Sequence, residues 1–127
     1  MKKKILIVDD AIYMRVVLKE LLEKNGYQVI GMAKNGEMGL KMYEELYVNG
    51  DRPDLVLMDI TMKKMNGIDA LRAIKAFDAT ANVVMVSSMR AKDATVEAIQ
   101  AGAKYFIHKP FEDDKLLATI NKAIEKK

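Results

Sequence analysis

The chain has 127 residues, with 21 Lys and Arg against 18 Asp and Glu, which gives a net charge of +3. This length fits one ordinary domain, and so small a charge excess gives no reason to make nucleic acid the default partner. The lack of cysteine excludes disulfides, thiolate metal sites and a cysteine nucleophile, and a single histidine excludes a multi-histidine zinc site within one chain.

The N-terminus combines a basic start with a short apolar run. Residues 2–4 are lysines, and Ile5–Val8 is apolar, but Asp9 ends the run after four residues. A signal peptide needs an apolar region of roughly 7–15 residues, and a membrane span needs about 20. We therefore expect a soluble, cytoplasmic protein that does not insert into a membrane.

Five short apolar runs recur along the chain and predict five strands. Because these runs lack polar alternation, they are typical of strands covered on both faces, as in a parallel sheet. They are Ile5–Val8, Val29–Met32, Leu55–Met58, Val83–Val86 and Tyr105–Ile107.

After each run, apolar residues recur at helical spacing and predict five helices. The positions that carry the pattern are Met14, Val17, Leu18 and Leu21; Met42, Tyr43 and Leu46; Ala70, Leu71, Ile74 and Phe77; Thr95, Ala98 and Ile99; and Leu116, Leu117, Ile120 and Ile124. A strand followed by a helix, repeated five times, predicts an α/β fold with a doubly wound parallel sheet and helices on both faces.

Polar residues follow four of the predicted strands, namely Asp9 and Asp10, Asp59, Ser87 and Lys109. Any one of them alone is better explained by a helix cap or a solvated charge. Together they predict a site, because ligands of such sheets bind beyond the carboxyl ends of the strands. Three neighbouring carboxylates repel one another unless a cation is bound, and an all-oxygen set favours Mg²⁺ or Mn²⁺.

These strand ends, in this order and spacing, resemble the receiver domain of bacterial response regulators. The resemblance covers residues 1–127 and implies a single (βα)5 flavodoxin-like domain with strand order 2-1-3-4-5. Since no room remains for an effector domain, the chain is most similar to the single-domain members that act in chemotaxis. The resemblance extends to Asn66-Gly67, Ala101-Gly102-Ala103 and Lys109-Pro110-Phe111.

The resemblance implies that Asp59 accepts a phosphoryl group from the phosphohistidine of a partner kinase. Asp9, Asp10 and Asp59 would hold Mg²⁺ together with the backbone carbonyl of Thr61. A metal suits this chemistry, because a carboxylate nucleophile and a phosphoryl donor are both anionic. The protein is then no enzyme beyond its own phosphorylation and dephosphorylation.

The resemblance also implies a switch. Ser87 and Lys109 would contact phosphoryl oxygens, and a cis bond between Lys109 and Pro110 would aim the lysine inward. Ser87 would move toward the phosphoryl group, and Phe106 would turn inward behind it, shifting the face of the fourth helix, fifth strand and fifth helix. Phe106 replaces the commoner tyrosine, and Tyr105 is predicted to point to the other face.

The implied partners are a histidine kinase as phosphodonor and a downstream protein such as the flagellar motor switch, with a phosphatase as a further candidate. We expect a monomer that does not bind nucleic acid. Lys63 stands where the family usually has proline, which predicts an altered phosphoryl lifetime or metal affinity. Thr61 and Met89, beside the site, are expected to tune hydrolysis.

Three alternatives stay open at this point. The chain could be a receiver excised from a longer regulator, or a phosphorelay intermediate. It could also be an aspartate-based phosphohydrolase, although such enzymes normally carry a second aspartate where Thr61 stands. A nucleotide or flavin carrier is disfavoured, because no G-x-G-x-x-G or P-loop pattern is present and the Gly36–Gly39 segment is better interpreted as a helix start.

Overall fold

Strands and helices alternate along the chain in the computed structural model, which describes residues 2–60, 62, 65–88 and 92–125. The strands confirm the five apolar runs to within one residue at each end, and each is followed by its predicted helix. In chain order the elements are β1 (Lys4–Val8), α1 (Ile12–Lys24), β2 (Gln28–Ala33), α2 (Gly36–Val48), β3 (Leu55–Met58), α3 (Gly67–Phe77), β4 (Val83–Ser87), α4 (Lys92–Gln100), β5 (Tyr105–His108) and α5 (Asp113–Ile124).

The strands form one sheet in the order β2-β1-β3-β4-β5, and all four pairings are parallel. The predicted strand order is thereby confirmed. In register, Val8 at the end of β1 lies opposite Met58 at the end of β3, and Ser87 at the end of β4 lies opposite His108 on β5. The residues that follow these strands therefore emerge at one edge of the sheet.

Alternate residues of the strands enter two separate cores. One face packs against α2, α3 and α4, and the other packs against α1 and α5. Because both faces are covered, β1, β3 and β4 are buried almost throughout, which explains their lack of polar alternation. The α2–α4 face is built from Leu6, Val8, Val56, Met58, Val83 and Met85, and the opposite face from Ile5, Ile7, Leu55, Leu57, Val84 and Val86.

Asparagine caps start two helices that flank the site edge of the sheet. The Asn35 side chain accepts a 2.8 Å hydrogen bond from the Met38 amide, which confirms the Gly36–Gly39 segment as a helix start. Asn66 accepts bonds from the amides of Ile68 and Asp69, both at 3.0 Å, at the start of α3.

No helix in the described ranges combines the length and apolar character that crossing a membrane requires.

Candidate functional site

Three carboxylates meet at the carboxyl edge of the sheet. Asp9 follows β1 and Asp59 follows β3, and the Asp59 amide donates a 2.9 Å bond to the Val8 carbonyl. Asp9 and Asp59 are only 2% and 7% exposed, whereas Asp10 is exposed. One oxygen from each of the three carboxylates lies within 4.8 Å of the others. The structure thus brings the three predicted acidic residues together.

Lys109 extends toward these carboxylates from the end of β5. Its Nζ lies 2.8 Å from Oδ2 of Asp9 and 3.7 Å from Oδ2 of Asp59, and its side chain is 16% exposed. Its backbone amide donates a 2.9 Å bond to the carbonyl of Ser87, which joins the ends of β4 and β5. The peptide bond between Lys109 and Pro110 is cis, as the resemblance implied.

Ser87 is fully buried beside Asp59. Burial raises the pKa of Asp59 above its ordinary value of 3.8, and the Asp9 charge adds to the rise. The Lys109 charge and hydrogen bonds from the Ser87 side chain and the Ile60 amide work the other way, but the net pKa stays raised. Burial, with the Asp9 charge, therefore outweighs what Lys109 and the hydrogen-bond donors do to stabilise the Asp59 carboxylate.

The backbone fits tightly around Asp59. The Ile60 amide donates a 2.8 Å bond to Oδ1 of Asp59, and the Gly67 amide donates a 2.8 Å bond to the Ile60 carbonyl. A Cβ atom placed on Gly67 would lie 1.8 Å from the Asp59 carbonyl oxygen, which is an impossible contact. Asn66-Gly67 entered the sequence analysis only as part of the resemblance, and the close approach of Gly67 to Asp59 is visible only in the structure.

Arg15 is a site residue that the sequence analysis missed. Its Nη1 donates a 2.7 Å bond to the Asp9 carbonyl, while the Ala11 amide donates a 2.9 Å bond to Oδ1 of Asp9. These contacts fix both the backbone and the side chain of Asp9. A usable signal was present, because an arginine near the N-terminus of α1 is unfavourable for the helix dipole and so points to a tertiary partner.

Phe106 lies partly buried on the α2–α4 face, and Tyr105 packs against the opposite face, as their alternation predicted. Phe106 is in register with Met85, two pairs farther from the site edge than Ser87 and His108. Its ring centroid lies 4.7 Å from that of His108, at an interplanar angle of 39°. The roles given to Ser87 and Phe106 in switching stay predictions.

Several predicted positions lie outside the described residues, namely Thr61, Lys63 and Met89. The Thr61 carbonyl as a metal ligand and the effect of Lys63 stay predictions. The described donors do fit a hard cation, because all three are carboxylates and two are buried. A cation would also relieve the repulsion between Asp9 and Asp59 that contributes to the raised pKa of Asp59.

The arrangement suits transfer of a phosphoryl group to a carboxylate. Asp59 supplies a nucleophilic oxygen, while Lys109 and Ser87 supply a charge and a hydroxyl beside it. A hydrolase with the usual second aspartate would need a carboxylate where Thr61 stands, and the sequence has none there.

Comparison with known proteins agrees with this geometry. A family model described as "Response regulator receiver domain" matches residues 5–121. The chain is 48% identical to chemotaxis protein CheY of Bacillus subtilis (98% of this chain, 99% of the relative) and 46% identical to chemotaxis protein CheY of Thermotoga maritima (96% and 98%). It also resembles a chain in the crystal structure of the CheX-CheY-BeF3-Mg+2 complex from Borrelia burgdorferi, with a TM-score of 0.91, 34% identity and coverage of 98% of this chain and 90% of that one. The chain belongs to the response regulator receiver domain family.

Proposed function

We propose that this protein is a phosphorylation-activated switch in which Asp59 accepts a phosphoryl group from a histidine kinase. Receiver domains of the CheY type are signalling switches and not classical enzymes. The observation that carries the proposal is the position of Asp59, a buried carboxylate that contacts Ser87 and lies 3.7 Å from the ammonium of Lys109. A carboxylate so placed is surrounded by groups that suit phosphoryl oxygens.

The transfer step follows from these positions. A carboxylate oxygen of Asp59 attacks phosphorus, the bond from phosphorus to the kinase histidine breaks, and an acyl phosphate forms. Lys109 then pairs with one phosphoryl oxygen, and the Ser87 hydroxyl donates a hydrogen bond to another. Hydrolysis by water regenerates the Asp59 carboxylate and ends the signal.

Receiver domains bind Mg²⁺, and the acidic cluster fits one. In this chain Asp9, Asp10 and Asp59 would hold the ion, with the backbone carbonyl of Thr61 as a further ligand and Mn²⁺ as a substitute. When bound, the ion neutralises charge between the anionic carboxylate and the anionic donor. The Mg²⁺ in the name of the Borrelia burgdorferi complex supports this assignment.

The output surface is the face made by α4, β5 and α5. Ser87 moves toward the phosphoryl group, and Phe106 turns inward behind it, so that this face changes shape. Val96 and Ile99 are large exposed apolar residues on α4, which suits a protein partner there. That partner is a downstream protein such as the flagellar motor switch. The pairing of CheY with CheX in the Borrelia burgdorferi complex supports a protein partner in general. We propose a phosphatase as a further partner.

Exposed apolar residues also lie next to the acceptor site. Ile12, Tyr13 and Val16 at the start of α1 are exposed and follow directly on Asp10. This patch suits a kinase that must bring its phosphohistidine to Asp59.

We place the protein in chemotaxis, with residues 1–127 as one receiver domain, because the relatives reported above are chemotaxis proteins matched over nearly their whole length. We also propose that it acts in the cytoplasm as a monomer.

The test is to incubate the protein with Mg²⁺ and a small acyl phosphate and to follow its mass. We expect a base-labile phosphoryl adduct that is absent in Asp59→Asn. Asp51→Asn, which changes an exposed carboxylate away from the site, is the matched control and should still form the adduct. No adduct with any divalent metal would overturn the proposal, and steady turnover of small phosphoesters would favour the phosphohydrolase.

A further inference from the structure

The His108 ring contacts Phe106 on the face of β5 that carries the proposed switch. The two residues are two positions apart, so they share one face of the strand, and their ring centroids are 4.7 Å apart with a tilt of 39°. Among described residues, the other ring contacts join Tyr43 and Tyr47 to Phe77, between α2 and α3. The contact at β5 is therefore separate from that aromatic group.

The register places His108 between Phe106 and the site edge. Phe106 pairs with Met85, and His108 pairs with Ser87, the residue whose side chain bonds to Asp59. A Phe106 ring that turns toward the space beside Ser87 has to leave or slide along the His108 ring. Any inward movement of Phe106 therefore changes the contact between the two rings.

The His108 side chain has no other specific interaction in the part of the chain that the structure describes. It is exposed, and among the described residues it forms no hydrogen bond and no ion pair. A histidine that served only for solubility would not need a ring contact with a partly buried phenylalanine. Among the described residues, its ring contact with Phe106 is thus the interaction through which His108 can affect the rest of the domain.

We propose that His108 is a positioning residue, whose ring holds Phe106 in its resting orientation and so sets how easily the switch turns. This inference rests on the proposed function. Tilted aromatic pairs add stabilisation beyond buried area, and an interaction made in only one of two states shifts the equilibrium between them. Loss of the His108 ring should therefore raise the ratio of turned to resting Phe106 by about two- to tenfold.

Fluorine NMR can measure this ratio directly. The chain has three phenylalanines, so uniform labelling with para-fluorophenylalanine gives three signals. Phe106→Leu identifies the Phe106 signal, and beryllofluoride with Mg²⁺ supplies the activated reference. The Phe77 signal, from a ring packed on Tyr43 and Tyr47 between α2 and α3, checks that each variant remains folded. The variants are His108→Ala, His108→Tyr, which keeps an aromatic ring, and Thr119→Ala, which changes a residue of α5 that borders the same surface cavity as His108.

In His108→Ala, the resting Phe106 signal should move toward the activated position, and the beryllofluoride concentration at half-conversion should fall by the same two- to tenfold factor. His108→Tyr and Thr119→Ala should both match the unmodified protein. The inference is overturned if His108→Ala leaves both the Phe106 signal and the beryllofluoride concentration at half-conversion unchanged. It is also overturned if His108→Tyr behaves like His108→Ala. Either result leaves the acceptor role of Asp59 intact. If beryllofluoride converts no protein in the set and no phosphoryl adduct forms, the proposed function itself fails, and the inference fails with it.

Discussion

The Lys109 ammonium donates a 2.8 Å hydrogen bond to Oδ2 of Asp9, a partner 100 residues away in sequence, and lies 0.9 Å farther from Asp59. The proposed phosphoryl contact of Lys109 therefore competes with a pairing to an expected metal ligand. A cation bound by Asp9 would take over the role that Lys109 has here, and Lys109 would become available for the phosphoryl group on Asp59.

Replacing Lys109 by Gln should raise the affinity for Mg²⁺ and slow the phosphorylation of Asp59. The ammonium both occupies Asp9 and repels a second cation, an effect of roughly 1 kcal/mol or about fivefold in affinity. Calorimetric titration with Mg²⁺ measures the first effect, and the rate of adduct formation measures the second. Lys115→Gln, at an exposed position on α5, is the control. Equal or weaker Mg²⁺ binding by Lys109→Gln would contradict the prediction.

Asp59→Asn should stabilise the metal-free protein at neutral pH. Burial raises the pKa of Asp59 in the folded state above the ordinary value of 3.8. Protonated Asp59 therefore stabilises the fold below pH 3.8, and this stabilisation is lost as the pH rises through the raised pKa. At neutral pH the uncharged amide avoids that cost, so the Asn variant should be the more stable protein. Urea unfolding at several pH values measures the free energy of unfolding of both proteins, and we expect the two values to converge at low pH. Saturating Mg²⁺ should narrow the difference in stability between the two proteins at neutral pH. A metal-free Asn variant that is less stable than the unmodified protein at neutral pH would refute the raised pKa of Asp59.

A second buried acid, Asp78, should respond to pH in the opposite direction. Burial works to raise its pKa, but hydrogen bonds from Tyr43, Arg52 and Thr80 outweigh that effect and hold the pKa well below 3.8. The stabilisation is therefore present above pH 3.8 and is lost as the pH falls toward the lowered pKa.

Tyr43→Phe removes the 2.6 Å bond from a fully buried hydroxyl to Asp78 and should destabilise the fold by about 1–3 kcal/mol at neutral pH. The loss should shrink at acid pH, where Asp78 becomes protonated. Tyr47→Phe, whose exposed ring lies next to Phe77, is the matched control and should change stability little. Urea unfolding of both variants measures the difference, and equal stabilities at neutral pH would count against the buried network.

Gly67→Ala should disrupt the acceptor site through the backbone. The new Cβ would meet the Asp59 carbonyl oxygen at 1.8 Å, so the segment from Asp59 to Ile60 has to shift. We expect a stability loss of about 3 kcal/mol or more and a phosphorylation rate reduced at least about tenfold. Gly50→Ala is the control, since Gly50 has a positive φ of 84° but open space around it. It should cost only about 1 kcal/mol and keep normal phosphorylation. A Gly67→Ala protein that resembles the control would show that the segment tolerates the shift.

The sequence by itself determined the order of the elements and the residues at the strand ends. Apolar runs without polar alternation reflect strands that are covered on both faces, and this burial is a local property of each run. Asp9, Asp59, Ser87 and Lys109 were identifiable because parallel strands all end at the same edge, so position in the chain fixes position at that edge.

Only the tertiary structure decided which of these groups pair and what surrounds them. Lys109 bonds to Asp9 more closely than to Asp59, Arg15 fixes the Asp9 backbone, and Gly67 leaves room for the Asp59 carbonyl. None of these relationships follows from periodicity, because each joins residues from different elements at distances of a few ångströms. Such distances depend on how helices and loops pack onto the sheet, and the raised pKa of Asp59 follows from that packing.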